Sequence, residues 1–186
     1  VLVVNSDNFI DGDGYKDAII GAKEIAKKGV IAAVGVKPEY QAKNLGYIKR
    51  DGNDVIKILS NVDFDDATSE IADCYSYEEG YLWNSGILVF RAGDMVNITR
   101  KKCPELYIAC RTAKRKVPAI RRAIRFSENV MKDIVTGSIE TLVLEHCDNL
   151  KVVEADILWK DIDNVCDIEM HHSDDKPDNI IKNDCS

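Results

Sequence analysis

The sequence predicts an α/β fold with a mainly parallel, mixed central sheet flanked by helices, and three observations carry that expectation. Residues 1–4 and 30–36 are continuous aliphatic, β-branched-rich runs, the pattern of strands buried on both faces. Between them, residues 17–28 set Ala18, Ala22, Ile25 and Ala26 at helical spacing, with Lys27 and Lys28 in the last turn and Gly29 as a stop. Strand, helix, strand in that order is a crossover unit, which belongs to a largely parallel sheet.

The later elements follow from local signals. Residues 46–58 read as a hairpin around Asp51-Gly52-Asn53. A polar turn, Trp83-Asn84-Ser85-Gly86, stands directly before an apolar strand at 87–90. Residues 92–110 are helical, with Pro104 opening a second helix. A helical segment runs over 111–131, where Pro118 begins a new helix and seven basic residues lie between Arg111 and Arg125. Residues 137–145 form a capped short helix, 150–154 a strand, and 156–159 the approach to a turn. With no repeat or low-complexity linker, residues 1–170 read as one domain and the polar stretch 171–186 as a loose tail.

Composition excludes several classes. The 186 residues are 45% hydrophobic and 31% charged, ordinary values for one globular core. With 25 basic against 32 acidic residues the net charge is −7, which gives no electrostatic ground for nucleic acid or an anionic membrane as partner. The longest uncharged apolar run, 29–36, is far short of the roughly 20 residues a membrane helix needs. No targeting segment opens the chain. Six cysteines without C-x-x-C pairs read as reduced thiols of a cytoplasmic protein.

The chemistry concentrates in Tyr81-Leu82-Trp83-Asn84-Ser85-Gly86. An amide there donates and accepts toward sugar hydroxyls, and the small Ser85 and Gly86 let backbone approach a ligand. This segment resembles the Tyr-Leu-Trp-Asn-Ser-Gly signature of the mannose-1-phosphate guanylyltransferase family, which makes GDP-mannose. Asp7 follows the first strand at its carboxyl end, where open α/β sheets bind ligands. It matches the family's Pro-Ala-Asp-His aspartate in an Asn5-Ser6-Asp7-Asn8 context. Asp161, in Trp159-Lys160-Asp161-Ile162-Asp163-Asn164, is similar to the aspartate of Trp-Ser-Asp-Val-Gly-Ser-Trp. The resemblance implies that Asp7 and Asp161 hold a catalytic Mg²⁺, a hard cation that takes one or two carboxylates plus phosphate oxygens. It also implies that Gly46 and Tyr47, of a Gly-Tyr-Ile segment, together with Asn84, Ser85 and Glu140 of Ser138-Ile139-Glu140, surround the sugar.

The departures are as informative. Where the family carries Phe-Val-Glu-Lys-Pro-Asp, this chain has Ile58-Leu59-Ser60-Asn61-Val62-Asp63, so the phosphate-binding lysine is absent and Lys57 and Lys49 are the nearest substitutes. A glycine-rich nucleotide loop with arginine and lysine has no counterpart in these 186 residues. The chain therefore reads as a partial, Rossmann-like nucleotidyltransferase domain lacking its N-terminal nucleotide-binding loop and inactive alone. The expected reaction joins GTP and mannose 1-phosphate. The alternatives are a non-catalytic sugar-nucleotide-binding or regulatory relative and a pyrophosphorylase for another sugar phosphate. The basic stretch reads as a solvated or homo-oligomer-facing helix rather than an RNA surface, because it lacks stacking aromatics. The three histidines lack zinc-ligand spacing with cysteine.

Overall fold

The computed structural model describes residues 1–40, 45–60, 76–115, 126, 128–132 and 134–162. Expectations for the basic stretch beyond Arg115, for Asn61 to Asp63, for Asp163 and Asn164, and for the tail lie outside the described residues. Among the described residues eight strands occur: β1 (Leu2–Val3), β2 (Asn8–Asp11), β3 (Ile31–Val36), β4 (Tyr47–Asp51), β5 (Asp54–Leu59), β6 (Tyr81–Val89), β7 (Leu150–Ala155) and β8 (Leu158–Asp161). The helices are α1 (Gly14–Lys27), α2 (Ala92–Lys102), α3 (Pro104–Arg115), α4 (Glu128–Met131) and α5 (Ile139–Leu142).

Strand β6 is the hub of a six-stranded sheet, antiparallel to β1, β3 and β4. β3 pairs in parallel with β7 from Ile31↔Leu150 to Val36↔Ala155. The hairpin β4–β5 folds across the sheet until Asp54 meets Lys151 of β7. The pairings therefore run β6, β3, β7, β5, β4 and back to β6, a ring of strands. Asn53 O accepts from Val152 N–H at 2.8 Å and Arg50 reaches Glu154 at 2.6 Å, so the closing contact is both backbone and ionic. Inside the ring lie Ile31, Ala33, Ile48, Ile58, Leu82, Leu88, Leu150 and Val152.

On the other face, α1 lays Ala18, Ala22 and Ala26 against Ala32, Val34, Ile87, Val89 and Ala155. The four-residue spacing stacks the alanines on one stripe, as the sequence predicts, and their small side chains let the helix sit close to the sheet. Strand alternation then sends Ile31 and Ala33 into the ring and Ala32 and Val34 toward the helix, so every residue of β3 is buried. Pro104 opens α3 as expected, directly after α2 ends. Among the described residues no helix is long and apolar enough to cross a membrane, and Cys103, Cys110 and Cys147 are free thiols.

Three expectations are corrected. Residues 1–4 are exposed, and β1 covers only two of them at the sheet edge, because an apolar run does not by itself distinguish a central strand from one with a single partner. The sheet is mixed as expected, yet among the described pairs only β3–β7 is parallel, and β6 separates β1 from β3. Residues 158–161, where 156–159 reads as the approach to a turn, instead pair with residues 8–11, for which the sequence gives no element, in an additional two-stranded sheet, β2–β8.

The crowded centre of β3 sets a stability test. A methyl group on Gly35 would stand 2.6 Å from Leu82 Cδ1, 2.9 Å from Leu82 Cβ and 3.0 Å from Val152 Cγ2. Gly35→Ala is expected to overpack the ring and destabilise the chain by about 1–3 kcal/mol. A urea midpoint equal to that of the unaltered chain would contradict it.

Candidate functional site

Trp83-Asn84-Ser85-Gly86 lies inside β6 as a bulge, not in a turn before a strand. Ala33 pairs with Leu88 but Gly35 with Asn84, so two steps along β3 answer four along β6. The surplus is absorbed at Gly86, whose φ of +73° suits glycine. A bulge strips ladder partners from a buried strand, and Ser85 replaces them. Its Oγ donates to Val34 O at 2.7 Å and accepts from Ile87 N–H at 3.2 Å. Asn84 Oδ1 accepts from Gly86 N–H at 3.1 Å, and Asn84 N–H donates to Gly46 O at 2.8 Å.

This bulge forms one wall of an open polar cleft of about 190 Å³. Asn84 and Gly86 come from β6, Gly46 from the entry to β4, Ser60 from the exit of β5, Glu140 and Ser138 from the start of α5, and Trp159 and Asp161 from β8. Asn5 sits over Gly86, its Nδ2 only 2.5 Å from where a Cβ would project. Ser138 caps α5 by accepting from Thr141 N–H at 3.2 Å, which fixes Glu140 in the first helical turn. Opposite β8, Asn8 pairs with Asp161, and Asn8 Nδ2 donates to Asp161 Oδ1 at 2.7 Å. Ile162 N–H donates to Asp7 O at 2.9 Å, so Asp7 adjoins this pair.

Of the residues singled out from sequence, Gly46, Asn84, Glu140 and Asp161 meet in the cleft, although they are separated by up to 115 positions. Asp7 lies beside Asp161 through the backbone but does not line the cleft. Tyr47 and Ser85 are corrected: both are completely buried, Tyr47 in the cluster with Val36, Trp83 and Trp159, and Ser85 behind the bulge. They support the cleft wall and do not face a ligand. Lys49 stacks over Tyr81 at 5.0 Å and Lys57 pairs opposite it in the hairpin, and neither lines the cleft. Asn5, Asn8, Ser60, Ser138 and Trp159 were not assigned to a site from sequence; Asn5 and Asn8 stand in stretches without periodicity, where nothing marks which strand they will meet.

The cleft offers oxygen donors and, among its described lining residues, no lysine or arginine. Asn8 Oδ1 is buried without a hydrogen-bond partner among the described residues. Carboxylates and carboxamides are the ligands of a hard cation. No group of three or more His, Cys, Asp or Glu gathers among the described residues. A cation here would depend on one or two carboxylates plus oxygens of a ligand, which fits the habit of Mg²⁺.

Comparison with known proteins follows the same lines. A family model described as nucleotidyl transferase matches residues 1–176. Mannose-1-phosphate guanylyltransferase RfbM of Salmonella typhimurium is 27% identical over 99% of this chain and 39% of its own length. Mannose-1-phosphate guanylyltransferase ManC of the same organism is 30% identical over 87% of this chain and 35% of its own. The chain thus spans little more than a third of the length of the curated relatives it matches. A crystal structure of mannose-6-phosphate isomerase from Helicobacter pylori superposes with a TM-score of 0.76 at 26% identity, covering 86% of this chain and 63% of that one.

The bulge generates a double-substitution test. Gly86→Ala imposes both an unfavourable φ and a collision with Asn5, together expected to cost about 1–3 kcal/mol. In an Asn5→Ala background the collision is gone, so the cost of Gly86→Ala should fall. Equal costs in the two backgrounds, measured by chemical denaturation, would show that Asn5 does not pack on the bulge.

Proposed function

The chain belongs to the nucleotidyl transferase family, and from that premise we propose that it forms part of a cytoplasmic enzyme making GDP-mannose and pyrophosphate from GTP and mannose 1-phosphate. The observation that carries the reading is the convergence of Asn84, Gly46, Glu140 and Asp161 on one polar cleft. The Asn84 amide, held by its bond to Gly86, presents donor and acceptor to sugar hydroxyls, and the Glu140 carboxylate accepts from them. Gly46 leaves space for the ring, since a side chain there would press on Asn84.

In the proposed reaction a phosphate oxygen of mannose 1-phosphate attacks the α-phosphorus of GTP, a new P–O bond forms, and the bond to the leaving pyrophosphate breaks. Asp161, with Asp7 adjoining, would hold Mg²⁺, which when bound neutralises charge on the phosphate oxygens during in-line displacement. The protein's part is to orient the sugar so that its phosphate lies over the Asp161 end of the cleft. One observation favours a second reading, a sugar-nucleotide-binding or regulatory relative: no lysine or arginine stands among the described lining residues to hold the sugar's phosphate.

Calorimetric titration of the 186-residue chain with mannose 1-phosphate in Mg²⁺ should give saturable binding. Glu140→Ala should weaken it about tenfold or more, because a hydrogen bond to a charged group is lost. Asn84→Ala should weaken it by a smaller factor. Equal affinity in all three proteins would remove the cleft as the sugar site. The same chain, offered GTP and mannose 1-phosphate, is expected to release no pyrophosphate, and release would refute the assignment of the triphosphate to a loop these residues do not include.

A further inference from the structure

We infer that Asn5 is a specificity-determining residue of the cleft: its side-chain amide donates to the phosphate of a sugar phosphate, a neutral stand-in for the lysine or arginine that the described lining does not supply. The inference rests on the sugar-phosphate reading given above. A phosphate in this cleft stands near two carboxylates, Glu140 and Asp161, so besides any cation its oxygens need N–H or O–H donors. Most donors of the lining are already committed. The Ser60 hydroxyl donates to Glu145 Oε1 at 2.8 Å, the Ser138 hydroxyl is tied to Thr141, and the Trp159 indole nitrogen is buried. In the bulge, Gly86 N–H donates to the Asn84 side chain and Asn84 N–H to Gly46 O. Among the described lining side chains, two carboxamides remain as donors, those of Asn84 and Asn5.

Their places in the chain separate their tasks. Asn84 faces Gly46, where the sugar is assigned. Asn5 comes two residues before Asp7, whose carbonyl accepts from the N–H of Ile162, the residue after Asp161, at 2.9 Å. It therefore belongs to the Asp161 end, over which the proposed reaction sets the phosphate. The Asn5 amide lies against Gly86, with Nδ2, Cγ and Oδ1 at 2.5, 3.0 and 3.1 Å from where a Cβ on Gly86 would project. Only glycine leaves that seat open. Packing thus restrains the amide while its hydrogen-bonding edge stays available: Asn5 is exposed, and among the described residues neither Nδ2 nor Oδ1 makes a hydrogen bond. A half-turn about Cβ–Cγ exchanges the two atoms, so the NH₂ reaches a ligand whichever way the amide stands in the free chain.

The test uses the 186-residue chain and mannose 1-phosphate in Mg²⁺, titrated by calorimetry. Asn5→Ala should weaken binding about tenfold or more, because the lost donor served a charged group. Asn5→Asp keeps the shape but sets a carboxylate against the phosphate, and should weaken binding further than the alanine variant does. A carboxylate accepts from sugar hydroxyls, so an aspartate variant that binds better than Asn5→Ala would place Asn5 on the sugar and overturn the inference. In the unaltered chain, mannose 1-phosphate should move the side-chain amide ¹⁵N signals of Asn5, and methyl α-mannoside, which lacks the phosphate, should leave them in place. Signals that both ligands move alike, or that neither moves, also overturn it. If the unaltered chain binds no mannose 1-phosphate, the sugar-phosphate reading falls and takes this inference with it. If Glu140→Ala weakens binding while Asn5→Ala leaves it intact, only this inference falls.

Discussion

The structure depends on how one buried strand accommodates surplus residues. β6 must keep Leu88 in the ring core and Trp83 in the aromatic cluster, and those two anchors are further apart along β6 than their partners are along β3. The Ser85 hydroxyl resolves the conflict by taking the place of a ladder partner for Val34 O. Without it a carbonyl in a fully buried strand would stand unpaired, a penalty of about 1–3 kcal/mol. The bulge that results turns Asn84 into the cleft while its neighbour stays in the core. A packing problem and a cleft-facing side chain thus have one solution.

The remaining architecture holds that solution in place. The hairpin closes the strands into a ring, and α1 backs the opposite face with alanines, so β3 and β6 are clamped from both sides. The cleft opens where β6, the entry to β4 and the end of β8 meet. Gly14 shows how tightly the start of α1 packs on the connection from β7 to β8: a methyl group there would come within 2.3 Å of Asp156 O. Side chains on such braced elements keep their geometry better than side chains on free loops.

Much of this was legible in residue order. The alanine stripe of α1, the buried run of β3, the glycine turn of the hairpin and the proline that opens α3 are all local signals, and each is where its signal puts it. Gly46, Asn84, Glu140 and Asp161 were found through motif likeness, and the cleft brings them together. What could not be read was partnership. The exposure of residues 1–4 is a matter of which edge they occupy, and the pairing of Asn8 with Asp161 joins residues with no local trace of each other. Ser85 reads as sugar-facing by its place beside Asn84; only the bulge reveals that its hydroxyl is spent on backbone.

The pairing of β2 with β8 joins positions 153 residues apart. Contacts of such span are paid for in loop-closure entropy before they return any stability, and they slow folding relative to helices and hairpins. On a ribosome adding 5–20 residues per second, Asn8 waits about 8–30 s before Asp161 has even been made. Through that interval Phe9 and Ile10 have no strand to pair with, although α1, β3 and the hairpin already exist as sequence. The cleft is therefore the last part of this unit to be assembled, and nascent chains arrested before residue 158 would carry a nearly complete sheet and no site.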